Sequence, residues 1–241
     1  MKDVLDVHTH TTASGHAYST LRENISAAKS AGLELIGIAD HAPKMPGSCH
    51  DFYFLNFEVI PRDAYGIKLV MGAELNILDY SGSTDLPAQI LKKIDYAIAS
   101  LHNPCIDPGN VEENTAAIIG AMKNPAIVII GHPDNPKYPV DFDKIARAAK
   151  DNHVLLEVNN SSYKTTGYRI GSRENAKLML NACQKYNAAV IMGSDAHIDF
   201  DVGNHKFSQE VLTENNFPEE LVINTDAAKF FEYVSYRKSL H

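Results

Sequence analysis

Eleven histidines in 241 residues, with no tag-like run among them, are the chemical signal of this chain. Two form the pair His8-Thr9-His10, whose i, i+2 spacing turns both imidazoles to one side of an extended strand. Asp195-Ala196-His197 repeats that spacing with a carboxylate in the first position. His41, His102 and His132 each close an apolar run, Glu74 closes another, and His16 follows the first pair by a short loop. Asp40, adjacent to His41, should point the other way and support a neighbour rather than bind a ligand itself. An H-x-H pair or a histidine at one strand end is usually structural. Seven imidazoles and two carboxylates brought to one place are the donor set of a multinuclear Zn, Mn or Fe site. His50, His153, His205 and His241 lack strand-end placement and are expected to be ordinary, with His50 a candidate loop contact.

The elements that must position these side chains are short β-branched runs alternating with helical patterning. Strands are expected at 4–10, 33–41, 68–77, 95–102, 126–132, 154–160 and 189–197, and helices at about 21–31, 87–93, 111–122, 142–151, 173–186 and 225–236. Thr20 and Glu23 have the spacing of a capping box for the first helix. Strand–helix alternation means parallel strands joined by right-handed crossovers, and runs such as IVIIGH are too uniformly apolar for a sheet with one wet face. All strand C-termini then share one face, where sites form in barrels and open sheets alike. No glycine-rich nucleotide fingerprint follows any strand, and no linker or composition break divides residues 1–241, so one α/β domain is expected. The longest irregular stretch, 43–62, carries Phe52, Tyr53, Phe54 and Phe57 and is either a lid or a loop packed on the body.

Composition narrows the partners. A net charge of −8 argues against a dedicated duplex-DNA binder, which needs a basic face. The opening Met1-Lys2-Asp3-Val4-Leu5-Asp6 lacks the apolar core of a signal peptide, and the longest aliphatic stretch, Ala126 to Ile130, is far short of a membrane span. Cys49, Cys105 and Cys183 are scattered and odd in number, so no disulfide framework is expected and a cytoplasmic setting is. There is no G-x-S-x-G elbow, and Cys105 has no evident base, so covalent catalysis is not expected.

The ordered set of D-V-H-T-H, I-A-D-H, G-A-E-L-N, G-H-P-D-N-P-K-Y, E-V-N-N-S-S and G-S-D-A-H, running along nearly the whole chain, closely resembles the PHP (polymerase and histidinol phosphatase) superfamily. Within it the chain looks most like the short, stand-alone bacterial phosphatases. The resemblance implies a distorted (β/α)7 barrel and three divalent metal ions, with zinc first and manganese or iron as alternatives. One ion would be held by His8, His10, Glu74 and Asp195, a second by Glu74, His102 and His132, and a third by His16, His41 and His197. Catalysis would run through Glu74 and Asp195, acting by way of the metals and a bridging hydroxide that attacks a phosphate monoester of a small metabolite. Six ionic charges against two carboxylates leave such a cavity about four charges positive. Lys137, Tyr138, Asn103, Asn159 and Asn160 lie just beyond strand ends as candidates for a phosphate oxygen, and Asp6 as a candidate to orient an imidazole. A PHP-type exonuclease or phosphodiesterase, an amidohydrolase-like enzyme and a metal-storing protein are the rival readings. No membrane partner is expected, nucleic acid is disfavoured, and a homo-oligomer is compatible with the sequence.

Overall fold

The computed structural model describes residues 1–63, 65–164 and 167–240; His241 lies outside them. Strands β1 (Leu5–Thr9), β2 (Leu35–His41), β3 (Lys68–Asn76), β4 (Ala97–Ser100), β5 (Ile127–Ile130), β6 (Leu155–Asn159) and β7 (Val190–Gly193) all fall inside the expected spans. They form one parallel sheet in chain order that curls into a nearly closed seven-stranded barrel wrapped by helices. Helices α1 (Leu21–Ser30), α3 (Ala88–Leu91), α4 (Val111–Met122), α5 (Phe142–Asn152), α6 (Ser172–Tyr186) and α8 (Ala227–Lys238) match expectation within two residues. The Thr20–Glu23 capping box starts α1, and an unforeseen one, Asn110–Glu113, starts α4. Two helices were not anticipated: α2 (Asp51–Leu55) and α7 (Lys206–Glu214). With α2 and a following 3-10 turn, the 43–62 stretch is packed rather than open, because Phe54 and Phe57 are buried and the Tyr53 hydroxyl donates to Asp40. His50 caps α2.

Two apolar layers result. One lies between strands and helices. The other joins Leu5, Leu35, Val70, Tyr96, Val128 and Ile191 from around the barrel with Phe230 of α8. Residues from so many strands meet only inside the barrel, so α8 stoppers its N-terminal end, with the Phe230 ring against Tyr96 at 5.5 Å. The floor beneath the strand C-termini is thus apolar and rigid.

The seam between β1 and β7 is closed largely by side chains. At the C-terminal end two backbone bonds span it, Asp195 N–H to His8 O (2.9 Å) and His10 N–H to Ala196 O (2.8 Å). Lower down the Asn224 amide stands in for a strand: its Nδ2 donates to Leu5 O and Met192 O, and its Oδ1 accepts from Met192 N–H. Between these, Asp6 Oδ1 accepts from the N–H groups of His8 and Ser194, and Oδ2 accepts from Gly203. Asp6 therefore fixes the backbone under His8 rather than orienting the His8 imidazole. Its other neighbour is His205, which is buried beside both Asp3 and Asp6 and is far from ordinary. His153 does end α5 as an exposed-edge C-cap, stacked on Tyr233. Among the described residues no helix is long and apolar enough to cross a membrane.

Candidate active site

The structure brings all nine expected residues, His8, His10, His16, His41, Glu74, His102, His132, Asp195 and His197, to the C-terminal end of the barrel. Register does much of this: in the β2–β3 ladder His41 pairs directly with Glu74. Local backbone does the rest. His132 and Asp195 leave β5 and β7 with φ of 32° and 55°, a left-handed turn that costs on the order of 1–3 kcal/mol in a non-glycine residue and is held here by the surrounding fold. Each follows a glycine-led strand end. A Cβ on Gly193 would lie 2.1 Å from Glu157 Oε1, and one on Gly131 would lie 2.3 Å from Ser100 Oγ. These glycines make room for the groups that hold His8 and Glu74.

Glu74 is the hub. Oε1 accepts from Ser100 Oγ (2.7 Å) and faces His132 Nε2 (3.1 Å) and His102 Nε2 (3.2 Å). Oε2 faces His8 Nε2 (3.5 Å), His10 Nε2 (3.6 Å) and His41 Nδ1 (2.8 Å, out of line for a hydrogen bond). Asp195 Oδ1 lies 3.6 Å from His8 Nε2 and 3.3 Å from His10 Nε2. Beyond them His16 and His197 meet Nε2 to Nε2 at 3.0 Å, and the His16 and His41 rings stack at 5.0 Å.

Partners on the far side of each ring assign the tautomers. His8 Nδ1 donates to Glu157 Oε1 (2.5 Å). His10 Nδ1 donates to Ser14 Oγ (3.0 Å), whose own proton goes to Asp40 Oδ1 (2.6 Å). His102 Nδ1 donates to Asn76 Oδ1 (2.7 Å), and His197 Nδ1 to the Asp195 carbonyl (3.0 Å). Nε2 of His8 and His10 then faces inward with no hydrogen-bond partner, while Nε2 of His102 faces Glu74 and that of His197 faces His16, the inward arrangement of metal-ligating histidines. Asp40 plays the supporting part expected of it.

His8 Nε2, His10 Nε2, His41 Nδ1 and Glu74 Oε2 are buried without a hydrogen-bond partner, a cost of about 1–3 kcal/mol per atom unless something satisfies them. The separations among His8, His10, Glu74 and Asp195, 3.3–3.6 Å, are long for hydrogen bonds. They match the roughly 3.3–3.6 Å edges of a tetrahedron with ligands about 2.0–2.2 Å from its centre. Three overlapping groups have ligand atoms within 4.8 Å of one another: His8, His10 and Glu74; His41, Glu74 and His102; and His10, His41 and His197. His41 stands between two of them.

Electrostatics agree with an anionic hub. Burial alone would raise the Glu74 carboxyl, but His102, His41 and His8 outweigh it and hold it well below the usual range. Asp195 is likewise held low, against burial, chiefly by His8 and His10 and also by Arg169. Burial keeps His102 near 4, so that ring is neutral.

A pocket of about 480 Å³ opens above the cluster, lined by His16, His41, Glu74, His102, Asp195 and His197. Met45, Ser161, Lys164, Gly167, Tyr168 and Arg169 complete the lining. The expected phosphate contacts are elsewhere. Tyr138 is buried with its hydroxyl on Ile106 O, Asn160 accepts from the first N–H groups of α7, and Lys137 and Asn103 are exposed outside the lining. Asn159 is near, donating to Glu157 and Asp195, and so acts as a brace. Two residues the sequence did not single out are Arg169, whose Nη1 lies 3.2 Å from Asp195 Oδ2, and Glu157. A carboxylate inside the apolar run LLEVN was the available signal for Glu157; Arg169 sits on a loop with no pattern to mark it.

Comparison with known proteins agrees. A probable phosphatase of Clostridium novyi is 48% identical over 240 residues, covering 100% of this chain and 98% of that protein. A probable phosphatase of Clostridium acetobutylicum is 45% identical with the same coverage. Among solved structures, histidinol phosphate phosphatase from Lactococcus lactis, crystallised with zinc, L-histidinol and phosphate, superimposes with a TM-score of 0.64 at 18% identity, over 90% of this chain and 95% of that one. That likeness establishes the shared barrel. The PHP domain family matches residues 6–161. With most of its length matched by the family and close relatives along all of it, this chain belongs to the PHP domain family.

Proposed function

We propose that this chain is a metal-dependent phosphatase that hydrolyses the phosphate monoester of a small metabolite at a trinuclear site. The broad class, a phosphoric ester hydrolase, follows from family membership and the relatives' names. The observation that carries the finer reading is the convergence of buried ring nitrogens without hydrogen-bond partners on two carboxylates held well below their usual range. His8, His10, Glu74 and Asp195 would hold one ion, Glu74, His102 and His132 a second, and His16, His41 and His197 a third. Zinc suits this nitrogen-and-oxygen donor set best. Bound there, divalent ions supply Lewis-acid charge for the phosphoryl oxygens and acidify water.

The chain's own residues do the rest. Glu157, Ser14 and Asn76 keep a proton on Nδ1 of His8, His10 and His102, so that Nε2 stays free. Arg169 neutralises Asp195 Oδ2 and borders the pocket, where its guanidinium meets an incoming phosphate. Neither Cys105 nor Ser161 competes as a nucleophile: burial pushes the Cys105 thiol up to about 11, and Ser161 Oγ donates to Ser194 O.

The test is a screen of the chain, reconstituted with Zn, Mn or Fe, for phosphate release from phosphorylated metabolites, beside amide and lactone substrates and a labelled single strand. Phosphate release with about three ions per chain is expected. Turnover of only amides or lactones, or bound metal with no ester hydrolysis, would remove the proposal. Glu157→Gln should weaken zinc retention about tenfold to a hundredfold; unchanged affinity in a competition titration with a chelating dye would show that Glu157 does not support His8.

A further inference from the structure

Three loops around the pocket mouth are pinned to one another. Tyr18, after β1, donates its N–H to His197 O (2.8 Å). Next to it, Ser19 Oγ donates to Asp199 Oδ1 and accepts from Asp199 N–H, which ties this loop to the one after β7. Lys164, on the loop after β6, reaches Asp201 Oδ2 at 2.8 Å. Each loop carries a large aromatic side chain into solvent: Tyr18 is 78% exposed, Phe200 87% and Tyr168 95%. A single exposed ring is unremarkable on any surface. These stand on loops held in register, and Tyr168 lines the pocket itself.

The cations on the pocket wall are paired. Among the described lining residues Glu74 and Asp195 turn to the imidazoles, Lys164 is held by Asp201 and Arg169 by Asp195. Met45 adds a thioether, which packs well against ring edges. The volume, about 480 Å³, is of the size that takes a whole small molecule. A neutral planar ring would find Tyr168 to stack on and Met45 to fill the gap.

We propose that this wall selects phosphate monoesters whose leaving group carries an aromatic ring, with Tyr168 as the specificity-determining residue. The proposal rests on the phosphatase reading and sharpens its substrate class.

The experiment compares kcat/KM of the metal-loaded chain for benzyl phosphate, glycerol 3-phosphate and phosphoethanolamine, all esters of alkyl alcohols, so that leaving-group chemistry is similar. Benzyl phosphate should exceed each of the others at least tenfold, mainly through KM. Tyr168→Ala should raise KM for benzyl phosphate about fivefold to tenfold more than for glycerol 3-phosphate, the range a stacked ring accounts for, and Tyr168→Phe should restore it. Equal kcat/KM on the three esters, preference for phosphoethanolamine, or an equal effect of Tyr168→Ala on all three overturns the selectivity while leaving the phosphatase reading intact. Hydrolysis of none of them, nor of any ester in the wider screen, overturns both.

Discussion

Glu74→Gln is expected to lower kcat/KM by at least about 10³-fold, equivalent to about 4 kcal/mol of lost transition-state stabilisation. The side chain is 1% exposed, and its two oxygens face five imidazoles, from His8, His10, His41, His102 and His132. Glutamine has the same shape, so the Ser100 bond and the packing survive; what goes is one negative charge and one of two equivalent oxygens. If Glu74 bridges two ions, both sites fail together, and metal analysis should show two of three ions lost or weakened. Near-normal turnover with full metal content in a variant of native circular dichroism would refute the bridging arrangement. A variant that keeps its metal but loses turnover would place Glu74 in the chemistry without making it a bridge.

The strands and the site residues were legible in the sequence for a single reason. In a parallel barrel the site lies where strands stop, and here the strands stop on histidines, on Glu74 and on the Asp195-x-His197 turn. What escaped were contacts that depend on which strands end up adjacent. Glu157 reaches His8 across 149 residues, and nothing local in LLEVN distinguishes a carboxylate that holds an imidazole from one that meets a cation. Asp6 shares a strand side with His8, which suggested that it oriented the ring. The unpaired middle of the β1–β7 seam instead offers it two backbone N–H groups and the loop at Gly203 a third, and a carboxylate surrounded by amide donors stays with them. Helix α2 escaped because five residues are too few to show a period, whereas α7 buries Ser208, Val211 and Leu212 at i, i+3 and i+4 and was legible. Arg169 and Tyr168 occupy a loop, where neither period nor capping marks a residue as pocket wall.

His205→Asn should destabilise the fold by about 3–5 kcal/mol, the cost of leaving a buried charge without its partner, and the loss should depend on pH. His205 is 2% exposed, with Nδ1 2.7 Å from Asp3 Oδ2 and Nε2 3.6 Å from Asp6 Oδ1. Burial alone would depress its pKa, yet Asp6 and Asp3 outweigh burial and raise it to about 10. A raised folded pKa favours the protonated native state, so the contribution is fully present below the unfolded value near 6.5. It shrinks as pH climbs, by at most about 1.4 kcal/mol per unit, and is spent above about 10. The gap between wild type and variant in urea denaturation, at fixed metal content, should therefore be widest near pH 6 and narrow toward pH 10. A gap that stays constant across that range would show that His205 acts by packing rather than by charge. Because Asp6 also holds the N–H groups of His8 and Ser194, the charge pair lies directly beneath His8 and Asp195. Asparagine leaves Asp3 and Asp6 facing one another unneutralised, so the seam should loosen where the site is built, and zinc retention should fall in step with stability. Loss of stability with unchanged zinc affinity would separate the seam from the site.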